Sequence, residues 1–326
     1  MEFFAEGHHH HHATGTISVN PPGGTGGPHH PHHSDHLPLP TGSFPTPINK
    51  YIHAGHVGHT ALWVVFFLFT FGLLGVFILS QRVEKRARLF HWLSALVLTI
   101  AMLSYFAMAA GLGVTYVPTA YHHPKASEYR FLREVYYARS IDWLFTTPLL
   151  LVSLGILAGL SPYDTLLTII ADVFMIVTGL LSSFVSARWA SGEKAKWGFY
   201  AVSCIAFLYI WWLLVTGGLK AARNRPRKTR GLFNLLAGMT LILWTAYPIV
   251  FALSEGTNRI SVDSEIIAYA VLDVAAKLGF TYLLLLIHTH GDEDAFALPD
   301  WFTEHRGGGL GADGRGSYGA VGNRDD

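Results

Sequence analysis

Seven uninterrupted apolar stretches dominate the chain, at approximately 57–80, 89–111, 135–160, 163–187, 197–219, 231–253 and 264–287. Each runs about 20 residues or more, the length a helix needs to cross roughly 30 Å of hydrocarbon. Hydrocarbon offers the backbone no hydrogen-bond partner, so only helices and closed barrels span it. The runs are continuous rather than alternating, which selects helices over a barrel. Composition points the same way. Only 14% of the 326 residues are charged and 51% are hydrophobic, whereas soluble domains carry about a quarter charged residues. The expected fold is an all-α membrane protein, a seven-helix up-and-down transmembrane bundle over residues 51–290.

The flanks read differently. Residues 1–50 hold the His8–His12 run, a Pro/Gly stretch and a second cluster at His29, His30, His32 and His33. Neither helical nor strand periodicity is present, so a disordered tail is expected, with the first run an expression tag. The second cluster has the residue type for metal, but its composition fits a solvated tail, and no metal site is expected. The opening Met1-Glu2-Phe3-Phe4 has no basic region and no long apolar core, so no signal peptide is expected. Residues 291–326, Gly-rich with charges of both signs, also read as a disordered tail. The lone Cys204 excludes an intramolecular disulfide and a cysteine-rich metal site. A net charge of +1 leaves no nucleic-acid footprint.

Loop charges set an expected orientation. The first loop carries Arg82, Lys85, Arg86 and Arg88, and the fifth carries Lys220, Arg223, Arg225, Arg227, Lys228 and Arg230. The even loops hold fewer basic residues: Lys125, Arg130 and Arg133, then Arg188, Lys194 and Lys196, then Arg259. Basic loops favour the cytoplasm, which puts the amino terminus outside and the carboxyl terminus inside. The plasma membrane is the expected location.

Charges within the spans are the informative residues, since each costs several kcal/mol unless paired or hydrated. Asp273 and Lys277 lie four apart in the last span, on one helix face. Arg139, Asp142 and Thr146 fall on one face of the third. A buried salt-bridge network that fixes packing is one reading, but such pairs stabilise poorly because desolvation offsets the attraction. Transport or ligand binding is the better account of four ionisable groups inside a bundle. A buried lysine that loses its proton is a nucleophile toward an aldehyde, and the product, once protonated, needs nearby negative charge. Tyr105, Trp143, Tyr200, Trp244, Tyr247 and Phe251 are the aromatics available to box a flat polyene.

The segments RSIDWLFTTPLLL, WTAYPIVF and LDVAAKLGF resemble the third, sixth and seventh helices of the microbial (type 1) rhodopsins, and GHTALWVVF resembles the first helix of the fungal, bacteriorhodopsin-like group. The resemblance covers about residues 55–290. It implies retinal, all-trans and linked as a Schiff base to Lys277, with Asp142 as primary counterion and proton acceptor and Asp273 as second counterion. Arg139 would swing outward once Asp142 is protonated, and Thr146 would hydrogen-bond Asp142. Trp143, Trp244 and Tyr247 would sandwich the chromophore, with Tyr105, Leu150, Met175, Tyr200 and Phe251 also around it. Thr147 and Asp172 match an interhelical hydrogen-bonded pair, and Pro248 a kink in the sixth helix. Glu255 and Glu265 match a proton-releasing pair; solvated loop-end carboxylates are the alternative for those two.

One position departs from the pattern. The cytoplasmic proton donor, a carboxylic acid in the family, falls at Ser153. A hydroxyl cannot donate a proton in the physiological range, so reprotonation must come from elsewhere and a slow photocycle is expected. The implied function is light-driven outward proton transport, photochemical rather than enzymatic, moving protons through internal waters in a lipid bilayer. The alternative is a photosensor signalling through a partner that the sequence does not identify. Family members often form homo-oligomers, and nothing in the sequence decides that here.

Overall fold

The computed structural model describes residues 48–84, 88–119, 129–186 and 190–289. All described residues belong to the unit Thr46–Asp326. Both histidine clusters and the predicted carboxyl-terminal tail lie outside the described residues. Among the described residues, seven helices are long and apolar enough to cross a membrane: His56–Ser80, Leu89–Ala109, Tyr137–Ala158, Pro162–Phe184, Gly192–Ala222, Arg227–Gly256 and Val262–Leu286. They are numbered first to seventh below. The predicted spans correspond to them one for one, which makes the chain an integral, multi-pass membrane protein.

Successive helices pack side by side, and the seventh closes the ring against the first and sixth. The usual distribution of polarity is inverted. Phe71, Ile205, Leu208, Ile242 and Val271 face outward, whereas Arg139, Asp142, Asp172, Asp273 and Lys277 are buried inside. That arrangement suits lipid as the surrounding solvent, with ionisable groups paired in the interior. The first helix packs tightly against the seventh at Gly72 and Gly75. A Cβ on Gly72 would lie 2.2 Å from Leu278 Cδ1, and one on Gly75 would lie 2.0 Å from Tyr282 Oη. The Tyr282 hydroxyl uses this space to donate to the Gly72 carbonyl at 2.9 Å.

Local signals set the helix ends. Ser161 caps the fourth helix by accepting from the Asp164 amide at 3.1 Å, with Pro162 at the first turn where its missing N–H is harmless. Ser261 caps the seventh in the same way. The third ends at Gly159, whose φ of 77° is a left-handed conformation that glycine adopts without strain. Pro148 and Pro248 lie inside the third and sixth helices. Wider π turns interrupt the fifth and seventh helices at Leu214–Gly218 and Val274–Gly279 and end the sixth at Ala252–Gly256. The turn in the seventh contains Lys277, and π turns often sit at functional positions.

The purely helical expectation needs one correction. A three-stranded sheet joins β1 (Ile48–Ile52), β2 (Thr115–Pro118) and β3 (Tyr129–Val135), with β3 in the centre, parallel to β1 and antiparallel to β2. Ile48–Lys50, predicted to belong to the disordered tail, are therefore ordered by pairing with β3. The sheet is tied to the bundle end where the first helix begins. The Ala54 amide donates to the Glu134 carboxylate at 2.7 Å, the Gly55 amide to Asp263 at 2.7 Å, and Arg133 to the Ile260 carbonyl at 3.1 Å. Two loops and the chain's entry into the first helix are thus fastened together at one face.

Candidate functional site

The third and seventh helices bring their charged faces together. Lys277 is buried, with its ammonium bonded to Asp142 Oδ2 and 3.3 Å from Asp273 Oδ1. Both carboxylates are fully buried. One cation between two anions leaves a formal excess of negative charge, and the surroundings offset it unequally. Asp273 accepts three hydrogen bonds: Tyr105 Oη donates at 2.7 Å, Tyr247 Oη at 2.8 Å and Trp143 Nε1 at 3.1 Å. Asp142 Oδ1 has no hydrogen-bond partner among the described residues. Asp273 is thus held by three donors besides Lys277, whereas Asp142 bonds the amine through Oδ2.

The remaining predicted residues fall around this centre. The Thr146 hydroxyl donates at 2.8 Å to the main-chain carbonyl of Asp142, one turn earlier in its own helix. The Thr147 hydroxyl donates to Asp172 Oδ2 at 2.7 Å, joining the third and fourth helices as the resemblance implied. Asp172 itself stands behind Thr147 rather than against the ligand space. Ser153 is buried, and its hydroxyl donates to the Leu149 carbonyl at 2.9 Å.

A cleft runs alongside Lys277. Trp143, Thr147 and Leu150 of the third helix line it, with Met175 of the fourth and Tyr200 of the fifth. Trp244, Tyr247, Pro248 and Phe251 supply the wall from the sixth helix. The Tyr200 and Phe251 rings stack at 5.4 Å, with planes 12° apart, and Tyr200 Oη bonds the Pro248 carbonyl at 3.1 Å. Tyr105 corrects an expectation: it is not part of the lining, and it acts on the site through Asp273.

Toward the sheet the cleft continues past Tyr269, Arg139, Tyr136 and Glu255. Arg139 stacks over the Tyr269 ring at 4.3 Å and donates to Glu265 Oε1 at 2.9 Å. Glu255 and Glu265 are both buried, so the solvated loop-end alternative is excluded. Burial, and then the neighbouring Glu134 carboxylate, push the Tyr136 phenol well above its ordinary value.

Two charged residues here were misassigned from sequence. Arg133, counted as a loop charge, is fully buried on β3 and donates to Glu265 Oε2 at 2.8 Å and to Asn258 Oδ1. Lys196, also counted as a loop charge, lies buried in the fifth helix and donates to the Glu255 main-chain carbonyl at 3.1 Å.

These elements define a class: a seven-helix membrane protein whose buried lysine sits between two carboxylates at the edge of an aromatic cleft. The bacteriorhodopsin-like protein family model matches residues 56–291, and the chain belongs to that family. It is 38% identical over 288 residues to Opsin-1 of Neurospora crassa, covering 86% of this chain and 92% of that protein. Its fold is similar to the light-driven proton pump LR (Mac) from Leptosphaeria maculans, with a TM-score of 0.71, 43% identity and coverage of 75% and 100% of the two chains. It is also similar to bromide-bound halorhodopsin from Halobacterium salinarum, with a TM-score of 0.67, 28% identity and coverage of 74% and 97%. The chain is thus a fungal-type microbial rhodopsin by relationship. Fold similarity thus extends to a halide-binding relative.

Proposed function

We propose that this protein is a light-driven outward proton pump that uses all-trans retinal on Lys277, with slow reprotonation from the cytoplasmic side. The supporting observation is the contact between the Lys277 amine and Asp142, whose second oxygen is open, at the head of a cleft leading to the sheet-covered end. The cleft fits retinal chemically. It is flat-walled and mainly aromatic, has one amine on its side, and places two carboxylates where a cationic linkage needs them. Trp143, Trp244 and Tyr247 would hold the polyene, with Leu150, Met175 and Phe251 filling around it. Retinal bound as a protonated Schiff base would supply a light-driven change in the position and proton affinity of the Lys277 nitrogen.

The chain's own groups give that change a direction. Asp142 is the acceptor, because its free oxygen needs no bond broken before a proton arrives. Asp273, held by Tyr105, Tyr247 and Trp143, keeps its place. Arg139 and the glutamates beyond it form the outward path. Ser153, committed to a backbone carbonyl in a buried setting, cannot return a proton, so the nitrogen must be resupplied from the inner medium. Proton rather than halide transport follows from Asp142: a carboxylate occupies the position beside Lys277 that an anion would need. The loop charges support an external amino terminus in the plasma membrane. Lipid, internal waters and further copies of the chain are the proposed partners.

A photosensor is the second reading, favoured by Ser153, since slow recovery lengthens a signalling state. One experiment separates the two. Cells carrying the retinal-loaded protein are illuminated while external pH is followed with and without a protonophore. Sustained, protonophore-sensitive acidification supports the pump. A coloured protein that moves no protons and recovers over many seconds overturns it in favour of the sensor.

A further inference from the structure

Basic residues crowd the turn between the fifth and sixth helices: Lys220, Arg223, Arg225, Arg227, Lys228 and Arg230. No Asp or Glu occurs between Glu193 and Glu255 to offset them along the chain. Backbone bonds keep the turn compact. The Arg223 amide donates to the Lys220 carbonyl at 3.3 Å, Asn224 to Ala221 at 3.1 Å and Arg225 to Ala222 at 3.0 Å, and Arg230 donates to the Pro226 carbonyl at 2.9 Å as the sixth helix begins. Ala222 and Thr229 anchor the two sides by full burial. Gly218 lets the helices close up just before the turn, since a Cβ there would lie 2.8 Å from Phe233 Cζ. Arg225 packs over the end of the third helix, with its Cδ 3.3 Å from where a Cβ on Gly159 would stand. The turn is therefore at the end of the bundle opposite the sheet. Lys220, Arg223, Arg227 and Lys228 are exposed around it. Apolar side chains are exposed on the helices that lead into it: Trp212, Val215 and Leu219 on the fifth and Leu235 on the sixth. The Trp212 ring stacks on Tyr209 at 5.7 Å, with planes 22° apart.

We propose that this turn is a binding site for an anionic phospholipid, whose headgroup sits among Lys220, Arg223 and Arg227 while its acyl chains lie along Trp212, Val215 and Leu219. A cluster of lysines and arginines directly at the end of a membrane helix attracts acidic headgroups, each cation contributing separately. Arginine adds a planar fork that matches two phosphate oxygens at once. Long basic side chains at a helix end also reach naturally to the headgroup layer while their stems stay on apolar surface. Basic loops direct insertion as well, but that role asks only for charge and ends once the chain has folded. Here the folded chain adds what insertion does not require: a turn fixed by backbone bonds, two helices brought together at Gly218, and an exposed apolar face continuous with the cations. A soluble anion would use the charges and have no use for that face. The site depends neither on retinal nor on which ion the protein moves.

The test is native mass spectrometry of the full-length protein, stripped of lipid in a neutral detergent and titrated with phosphatidylserine or phosphatidylcholine. Phosphatidylserine is expected to be retained at concentrations where phosphatidylcholine is not, and less so as salt rises and screens the exposed charges. Lys220→Gln/Arg223→Gln/Arg227→Gln is expected to weaken retention about a hundredfold, at roughly fivefold for each charge. Arg82→Gln/Lys194→Gln/Arg259→Gln removes three exposed cations from elsewhere on the chain and should leave retention unchanged. Trp212→Ala should weaken retention of the lipid although it carries no charge. Equal retention of the two lipids, salt-insensitive binding, or equal loss in the two triple variants overturns the site. Displacement of phosphatidylserine by inorganic phosphate at matched concentration, with Trp212→Ala without effect, would assign the turn to a soluble anion and also overturn it. The salt series and the comparison of lipids use the unsubstituted protein, so they decide the matter even where the triple variant fails to fold.

Discussion

Replacing Tyr105 by Phe removes one oxygen atom from a fully buried residue and leaves the cleft lining untouched. Its effect should therefore arise almost wholly from the 2.7 Å bond to Asp273 Oδ2. Hydrogen bonds to charged groups contribute about 1.5–3 kcal/mol net. Interhelical bonds within membranes run lower, about 0.6 kcal/mol on average and up to about 1.7 kcal/mol, because the unfolded reference also finds partners. Where these ranges meet is about 1.5 kcal/mol. The low end is appropriate because Asp273 still keeps Tyr247, Trp143 and Lys277 after the change. For a bundle of this size that corresponds to a fall in apparent Tm of about 3–6 °C. The assay is thermal loss of the visible band, measured for Tyr105→Phe, Asp273→Asn and the double variant. The expected coupling is about 1–2 kcal/mol, well above the few tenths seen for independent sites. Additive single effects, or an unchanged Tm in Tyr105→Phe, would refute the claim that Tyr105 acts through Asp273.

Three further outcomes are expected. Ser153→Asp should accelerate reprotonation and free it from bulk pH, whereas the unsubstituted protein should recover at a rate proportional to proton concentration; flash photolysis across a pH series reads both. Gly75→Ala should cost about 1–3 kcal/mol by overpacking, since the new Cβ meets Tyr282 Oη at 2.0 Å and disturbs its bond to the Gly72 carbonyl; thermal denaturation against Gly238→Ala, where nothing lies within 4 Å, checks it. Arg133→Gln should destabilise more than Tyr105→Phe, toward the low end of the roughly 3–5 kcal/mol for breaking a buried ion pair, because Glu265 retains Arg139; an equal or smaller loss would count against the buried clamp.

The helices were legible because lipid imposes a length and a continuous apolar run, and both are visible without any partner segment. The Lys277–Asp142–Asp273 centre was legible because a charge in such a run stands out singly. What failed to show has a common cause. Arg133 and Lys196 lie near span ends, where counting charges treats every basic residue as solvated; burial there depends on Glu265 and the Glu255 carbonyl, more than 50 positions away in sequence. The sheet pairs Ile48 with Tyr129, and strands of four to seven residues give no periodic signal against seven long spans. The π turn at Val274–Gly279 is also invisible to hydropathy, because one wider turn leaves the apolar run unchanged. Tyr105 was misassigned for a different reason: aromatic identity alone does not say whether a ring lines a cleft or serves a carboxylate behind it.

The central claim is the covalent one, that the buried amine of the seventh helix carries the pigment. Borohydride reduction of the illuminated, retinal-loaded protein, followed by proteolysis and peptide mass spectrometry, locates the retinyl group directly. A single adduct on the peptide containing Lys277, absent in Lys277→Ala, is the expected result. A retinyl group on any other lysine, Lys196 included, or full colour in the Lys277→Ala protein, would contradict the account.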